Sequence, residues 1–152
     1  MSTMARRKGK IRVWIVALVI LGVIAVVLVG GILSSASGRR EVQELTIDAV
    51  DFKKLRDGTY MGEYSGTKDH SRDTKVQVII SEDKISDIKI LKGALDKEGK
   101  PAELAGGLSI GDLFDNVIKS QSLQVDAISG ATLTSKVHLK ALENALEQSQ
   151  TK

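Results

Sequence analysis

The sequence predicts an α+β domain, a small and mostly antiparallel sheet with packed helices, preceded by one N-terminal transmembrane helix. An uncharged and almost entirely apolar run covers residues 13–33. Apolar residues alternate with polar ones in short runs between positions 58 and 91, which is typical of strands. Apolar residues recur three and four positions apart in 110–120 and again after position 134, which is typical of helices.

The apolar run Val13–Leu33 has 21 residues, and a helix needs about 20 to cross a bilayer. Five basic residues precede it, and Arg39 and Arg40 follow it. The positive-inside rule therefore predicts a cytoplasmic basic N-terminus at 1–12, a single pass through the cell membrane and an extracytoplasmic domain. Cleavage of a signal peptide is the alternative, because 35–37 reads Ser-Ala-Ser, but a secretory apolar segment of about 7–15 residues would be shorter.

Composition narrows the classes of partner. Seven of the 22 basic residues and none of the 19 acidic residues lie before position 41, so the net charge of +3 arises from the N-terminal region. This asymmetry indicates membrane topology and not nucleic-acid binding. Aromatic residues make up only 3% of the chain, which leaves no stacking platform for single-stranded nucleic acid. The lack of cysteine excludes disulfides and thiolate metal sites.

Residues 34–54 are predicted to be a juxtamembrane linker or stalk that begins with a small, polar stretch. Its later part fits two structures. Val42, Leu45, Ala49 and Phe52 have helical spacing, whereas Thr46, Ile47 and Val50 suit a strand nearly as well. The domain proper is predicted at 55–148, with 149–152 as a tail.

Within the domain, Gly58–Tyr64 is predicted to be the first strand, and Gly62 marks a bulge or a close approach of another backbone. Residues 75–81 and 85–91 are predicted to form a hairpin with its turn at 82–84. Segments 66–73 and 93–107 are predicted to be loops. An amphipathic helix is expected at 110–120, and the last helix is expected to run to about Glu147.

The last helix follows a run of small residues. Thr134 or Ser135 is a natural N-cap, which would place Thr132 on the turn just before the helix. A helix N-terminus has unpaired N–H groups and a positive dipole, and both favour a phosphate group. Small neighbours at 129–131 would let a bulky ligand reach the backbone. The alternative is an ordinary Ser/Thr-rich loop that only caps a helix.

The same segment carries a resemblance. Asp126–Thr132, read as D-x-x-S-G-A-T, resembles the flavinylation motif of the FMN-binding domain family. That family includes the C subunit of the sodium-translocating NADH:quinone reductase and the G subunit of the Rnf electron-transport complex. Residues 57–62, Asp-Gly-Thr-Tyr-Met-Gly, resemble the D-G-T-Y-x-G that opens the family's domain, so the resemblance covers about Leu55 to Glu147.

The resemblance implies FMN as the cofactor, attached covalently to Thr132 through a phosphodiester bond by a flavin transferase that uses FAD and a divalent metal. Ser129, Gly130 and Ala131 would shape the acceptor loop around Thr132. Asp126 would either fix the turn or serve recognition by the transferase.

The implied function is an extracytoplasmic electron-transfer carrier anchored in the lipid membrane by Val13–Leu33, with its redox donor and acceptor unidentified. The alternatives are a non-redox extracytoplasmic binding or adaptor module and a small flavin-dependent reductase. No catalytic residue is assigned, and no metal is assigned to His70 or His138, which lie 68 positions apart without supporting carboxylate spacing.

Overall fold

The structure is a computed structural model that describes the backbone of residues 4–150 and the side chains of 14–28, 36 and 38–150. It divides into two compact units, Met1–Ser37 and Gly38–Lys152. Each unit is described by itself below.

The first unit consists of helix α1, which spans Met4–Gln43 and continues into the second unit. The predicted apolar span is helical along its whole length, and its described side chains are exposed, as at Trp14 (72%) and Val26 (73%). The side chains of 1–13 and 29–33 lie outside the described residues. Across the part of the chain that is described, no helix has both the length and the apolar character needed to cross a membrane.

The second unit contains an antiparallel sheet of three strands in the order β1 (Gly58–Tyr64), β2 (Thr74–Ser81) and β3 (Lys84–Lys92). The predicted first strand and hairpin are therefore confirmed. Two residues, Glu82 and Asp83, form the hairpin turn with φ values of +56° and +58°. Positive φ at both central residues is the pattern of a type I′ turn, whose twist matches the flanking strands.

Two helices pack with this sheet: α2 spans Ile110–Ser120 and α3 spans Thr132–Ser149. The closest approach is at Gly62, where an added Cβ would lie 1.9 Å from the carbonyl oxygen of Ala141 and 2.5 Å from the nitrogen of Ala145. Only glycine fits such a distance, so the predicted close approach is confirmed. The burial of helix α3 extends beyond its apolar residues, since the polar side chains of His138 and Glu143 are covered as well as Ala141.

The two predicted loops contain some regular structure. Segment 93–107 includes strand β4 (Glu103–Ala105), which pairs with strand β5 (Leu108–Ser109). Segment 66–73 includes a 3-10 turn at His70–Arg72, capped by the carboxylate of Asp69. The sequence did not predict β4 within 93–107, because a strand of three residues is too short to show alternation.

Residues 38–56, most of which were predicted to be a linker, pack with the domain. Val42 at the end of α1 is only 3% exposed. Further along, Leu55 forms a bridge with Gln150, and the Arg56 amide donates to the Ser149 carbonyl at 2.9 Å. This stretch therefore belongs to the same compact unit as the sheet, and so do Ser149 and Gln150 of the predicted tail.

Candidate functional site

The motif Asp126–Thr132 ends in a tight turn that leads directly into α3. The Ala131 amide donates to the Ile128 carbonyl at 2.9 Å, and Gly130 has φ +82°. A positive φ at the third residue is what a type II turn requires, and glycine adopts it without steric cost. The Ile128 side chain is 5% exposed, so it anchors the turn in the core.

The hydroxyl of Ser135 holds this turn in place. It accepts a hydrogen bond from the Ile128 amide at 3.1 Å and donates to the Ala131 carbonyl at 3.0 Å. Ser135 therefore lies inside the first turns of α3 and is fully buried. The prediction that Thr134 or Ser135 is the N-cap was wrong, because Ser135 bonds backward to the turn and Ala131 occupies the cap position.

Thr132 is consequently the first residue of α3 and not a residue of the preceding loop. Its side chain is exposed to solvent. The hydroxyl is thus held on a regular helix whose start is fixed by the Ile128–Ala131 turn. A reagent can approach this group from outside without any rearrangement of the core.

The N-terminus of α3 has no side-chain cap. The side chain of Ala131 offers no hydrogen-bond acceptor, and the first turn contains no acidic residue. The amides of 132–134 lie in the positions of a helix that have no intrahelical partner. Together with the helix dipole, they make this end electropositive and suited to a phosphate group.

The other motif residues surround this end. Ser129 and Asp126 are exposed, and Ala131 is partly buried. A Cβ added at Gly130 would lie 3.1 Å from the Cβ of Ala105, so the turn fits closely against β4. In the described part of the chain, the hydrogen bonds of the turn come from Ile128, Ala131 and Ser135 and not from Asp126. The Asp126 carboxylate is therefore accessible to a partner protein.

A cavity of about 400 Å³ opens beside the first turns of α3. Its apolar wall is formed by Ala94, Leu104 and Val137. The polar lining consists of Thr134, His138, Lys92 and the 70–73 segment. Thr134, two residues after Thr132, belongs to the lining, whereas Thr132 does not.

His138 connects three segments at the base of this cavity. Its Nδ1 lies 2.8 Å from the Thr134 carbonyl and therefore carries a proton, and its Nε2 lies 2.8 Å from the Thr74 hydroxyl and 3.4 Å from the Ala94 amide. A Cβ at Gly93 would lie 2.7 Å from Nε2, so the backbone passes very close to the ring. Burial lowers the pKa of His138, with the hydrogen bond to Thr134 as a smaller opposing effect. The ring is therefore neutral and structural near pH 7.

Asp73 organises the rim of the cavity. Its carboxylate accepts hydrogen bonds from the Ser65 hydroxyl at 3.0 Å and the Gly66 amide at 3.1 Å, and it pairs with Lys92 at 3.3 Å. Desolvation alone would raise the pKa of Asp73, but these hydrogen bonds and the one from His70 lower it to about 2. The rim thus keeps a fixed negative charge that is paired with Lys92.

The structure brings the predicted motif residues together and adds a cluster that sequence reasoning missed. Thr74 and His138 are separated by 64 positions, so no local pattern indicates their contact. The glycine at position 93 is a local signal that could have indicated close packing there, and in the structure it has φ +126° beside the His138 ring. The exposed hydroxyl, the uncapped helix end and the turn that excludes a Cβ fit a phosphate ester on Thr132.

A family model described as FMN-binding domain matches residues 69–147, about half of the chain. The match includes the whole of Asp126–Thr132 and begins after the segment 57–62. Comparison with curated proteins and with solved structures gives no match. The match identifies FMN as the cofactor of the second unit.

Proposed function

This chain belongs to the FMN-binding domain family, and we propose that it carries FMN covalently on Thr132 through a phosphodiester bond. The observation that carries the proposal is the exposed hydroxyl of Thr132 at a helix end that has no side-chain cap. The intact motif Asp126–Thr132 around it supports the same residue. The modifying protein would be a flavin transferase with FAD as donor.

In this reaction the Thr132 oxygen forms a bond to the phosphorus of the FMN half of FAD. The pyrophosphate bond breaks, AMP leaves, and the hydroxyl proton passes to a base of the transferase. Residues of this chain present the hydroxyl: the Ile128 side chain and the Ser135 hydroxyl fix the turn, and Gly130 keeps it close to β4. The first-turn amides would then stabilise the negative charge of the diester.

We further propose that the protein is an electron carrier. FMN, when bound, takes up and gives off electrons singly or in pairs, and the protein supplies attachment and electrostatics. Covalent attachment retains a cofactor that would otherwise be lost by dilution outside the cell. No nicotinamide-binding motif is recognisable in the sequence, which favours a carrier over a reductase with its own substrate.

The membrane anchor is the third part of the proposal. Residues 13–33 are apolar on every side of the helix, and the described ones among them are exposed. A helix that is apolar all round is stable when it is surrounded by an apolar medium. We place it in the lipid membrane with the N-terminus in the cytoplasm, because the preceding basic residues favour that orientation.

The attachment is tested by producing the chain with and without an active flavin transferase and measuring its intact mass. We expect a gain of one FMN minus one water, located on the peptide that contains Thr132. The denatured protein should remain fluorescent. Protein that never gains FMN beside an active transferase would contradict the proposal and favour the non-redox adaptor.

Orientation is tested by adding protease to intact protoplasts. We expect digestion of the second unit and protection of the basic N-terminus. Digestion that occurs only after lysis would place the domain in the cytoplasm and contradict the proposed orientation of the membrane anchor.

The carrier function is tested by following the visible absorbance of the flavinylated protein. We expect reversible bleaching by a reductant and recovery on addition of a quinone analogue. A flavin that stays oxidised under reductants strong enough for free FMN would contradict electron transfer.

A further inference from the structure

Lys136 on α3 holds the segment that follows α1. Its ammonium group donates to the Gln43 carbonyl at 2.7 Å and to the Leu45 carbonyl at 3.2 Å. We call residues 43–48 the strap, because they lie along α3 and connect α1 to the rest of the domain. A lysine ammonium has three hydrogens, and two of them point to the strap.

The strap has a second attachment one to two turns further along α3. The Asp48 amide donates to the Glu143 carboxylate at 3.2 Å. That buried carboxylate is neutralised by Lys140, whose ammonium lies 2.7 Å away. Glu143 therefore has its own cation. Within residues 38–150, no carboxylate lies in ion-pair range of Lys136, so its two described partners are neutral carbonyls.

Lys136 also lies on the same face of α3 as Thr132. Residues four positions apart are neighbours on a helix surface. Helical side chains lean toward the N-terminus, so Lys136 and Thr132 are expected to be neighbours on one face of α3. The Lys136 ammonium, whose described partners are the neutral carbonyls of Gln43 and Leu45, is therefore on the side of the helix that carries Thr132.

From these contacts we propose that Lys136 is a positioning residue that joins the cofactor to the strap. Resting on the proposed attachment of FMN to Thr132, the inference is that the third ammonium hydrogen donates to a non-bridging oxygen of the phosphodiester. The two other hydrogens keep their bonds to Gln43 and Leu45. One side chain then ties the phosphate, α3 and the strap together.

The consequence is reciprocal coupling. If the phosphodiester fixes the Lys136 ammonium, the strap carbonyls gain a better-ordered donor, and cofactor attachment stabilises the docked strap. By linkage, a docked strap equally favours the modified state. Attachment of flavin at Thr132 then changes how stably the strap is docked on α3.

The test is amide hydrogen exchange of residues 43–48 in the full chain, with and without FMN attached. In the wild type we expect exchange to be slowed at least about fivefold by flavinylation, the lower end of typical coupling between sites. Lys136→Met should abolish this difference, because it removes the charge and keeps the side-chain length. Lys136→Arg should restore most of it, and Lys119→Met, a change at an exposed lysine of α2, should leave it intact.

Two results would overturn the proposal: no slowing in the flavinylated wild type, or equal slowing in flavinylated Lys136→Met. Intact mass identifies the separate case in which no FMN is attached, which is a failure of the proposed function itself.

A comparison of two variants without flavin then tests whether a negative charge at position 132 stabilises the strap through Lys136. Thr132→Glu places a carboxylate four residues before Lys136, an arrangement that favours ion pairing. It should slow strap exchange relative to Thr132→Gln only while Lys136 is present, and equal exchange of the two variants would refute the role of Lys136.

Discussion

The two helices of the domain begin in opposite ways. At α2, the Ser109 hydroxyl accepts from the Asp112 amide, and the Asp112 carboxylate accepts from the Ser109 amide at 2.8 Å, which forms a complete capping box. At α3, Ala131 provides no cap and the first turn has no acid. The same chain therefore satisfies one helix start internally and leaves the other open. The open start is also the one that carries Thr132, the residue proposed to bear the cofactor.

The largest expected effect comes from removing the acceptor at the open end. Thr132→Ala should lose all covalent FMN, whereas Thr132→Ser should keep part of it, because it retains the hydroxyl but loses the rotamer restriction of the methyl group. Intact mass and in-gel fluorescence measure the label. Thr134→Ala is the matched control and should still be modified. Covalent flavin on Thr132→Ala would mean that another hydroxyl is the acceptor.

Breaking the closed end should affect stability and not labelling. Ser109→Ala removes the acceptor for the Asp112 amide, and loss of such a cap costs about 1 kcal/mol. The free energy of unfolding is measured with urea, while intact mass follows the flavin. Full stability in this variant would show that the α2 cap is not energetically important, and reduced labelling would show that the two ends are not independent.

Adding a side-chain cap at the start of α3 should change the stability less than removing the cap of α2 does. Ala131→Asp supplies both a cap and a negative charge, and Ala131→Asn supplies the cap alone. We expect a gain of at most about 1 kcal/mol, because Ala131 has φ −129° and ψ 31° and lacks the extended backbone that an N-cap prefers. The Asp variant should be labelled more slowly than the Asn variant. Equal labelling would argue that electrostatics at this end do not assist attachment.

The smallest expected effect is a difference between the two helix starts in the pH at which each loses stability. Hydrogen bonds from the Ser109 amide and hydroxyl lower the pKa of Asp112. Its stabilising effect is therefore present above the unfolded-state pKa of about 3.9 and is lost as the pH falls below it. Burial lowers the pKa of His138, which supports the first turn of α3 through Thr134. Its contribution is present above about pH 6.5 and is lost on acidification below that value.

Lowering the pH from 7 to 4 should thus loosen the start of α3 before that of α2. Amide hydrogen exchange of the two helices measures this difference. Asp73 stays ionised across this window, because its hydrogen bonds hold its pKa at about 2. His70 lines the same cavity and contacts Asp73, so His70→Asn is the matched control and should leave the pH dependence of α3 in place. His138→Asn should remove the pH dependence at α3. Equal loosening of both helix starts would contradict the assignment to His138.

The sequence predicted the elements whose signal is local. Strand β1, the hairpin and α2 were found because alternation and helical spacing are strong there, as at Val76 and Val78. The start of α3 was placed three to four residues late, since Thr134 and Ser135 look like caps in the sequence whereas Ala131 is the cap residue. The turn around Gly130, and not a hydroxyl, determines where this helix begins.

What the sequence missed depends on contacts between distant positions. Val42 is buried, and Gln43 and Asp48 are held by α3 residues more than 90 positions later. No periodicity in 34–54 can report such partners. The candidate site was recognised through the resemblance of its motif, because physical chemistry alone left an ordinary capping loop as an alternative. The His138 cluster has no family motif in our reading and was visible only in three dimensions.

The hairpin turn at Glu82–Asp83 has a consequence for protein engineering. Both residues hold a left-handed backbone that costs an ordinary side chain about 1 kcal/mol or more, and a two-residue turn of this kind prefers Asn-Gly. Substitutions in this turn could therefore raise the stability of the domain, at a position remote from the flavin motif in sequence. Natural proteins need only exceed the stability that their task demands. A heat-tolerant version of this flavoprotein is best sought by redesigning this turn, where gains need not compete with cofactor attachment.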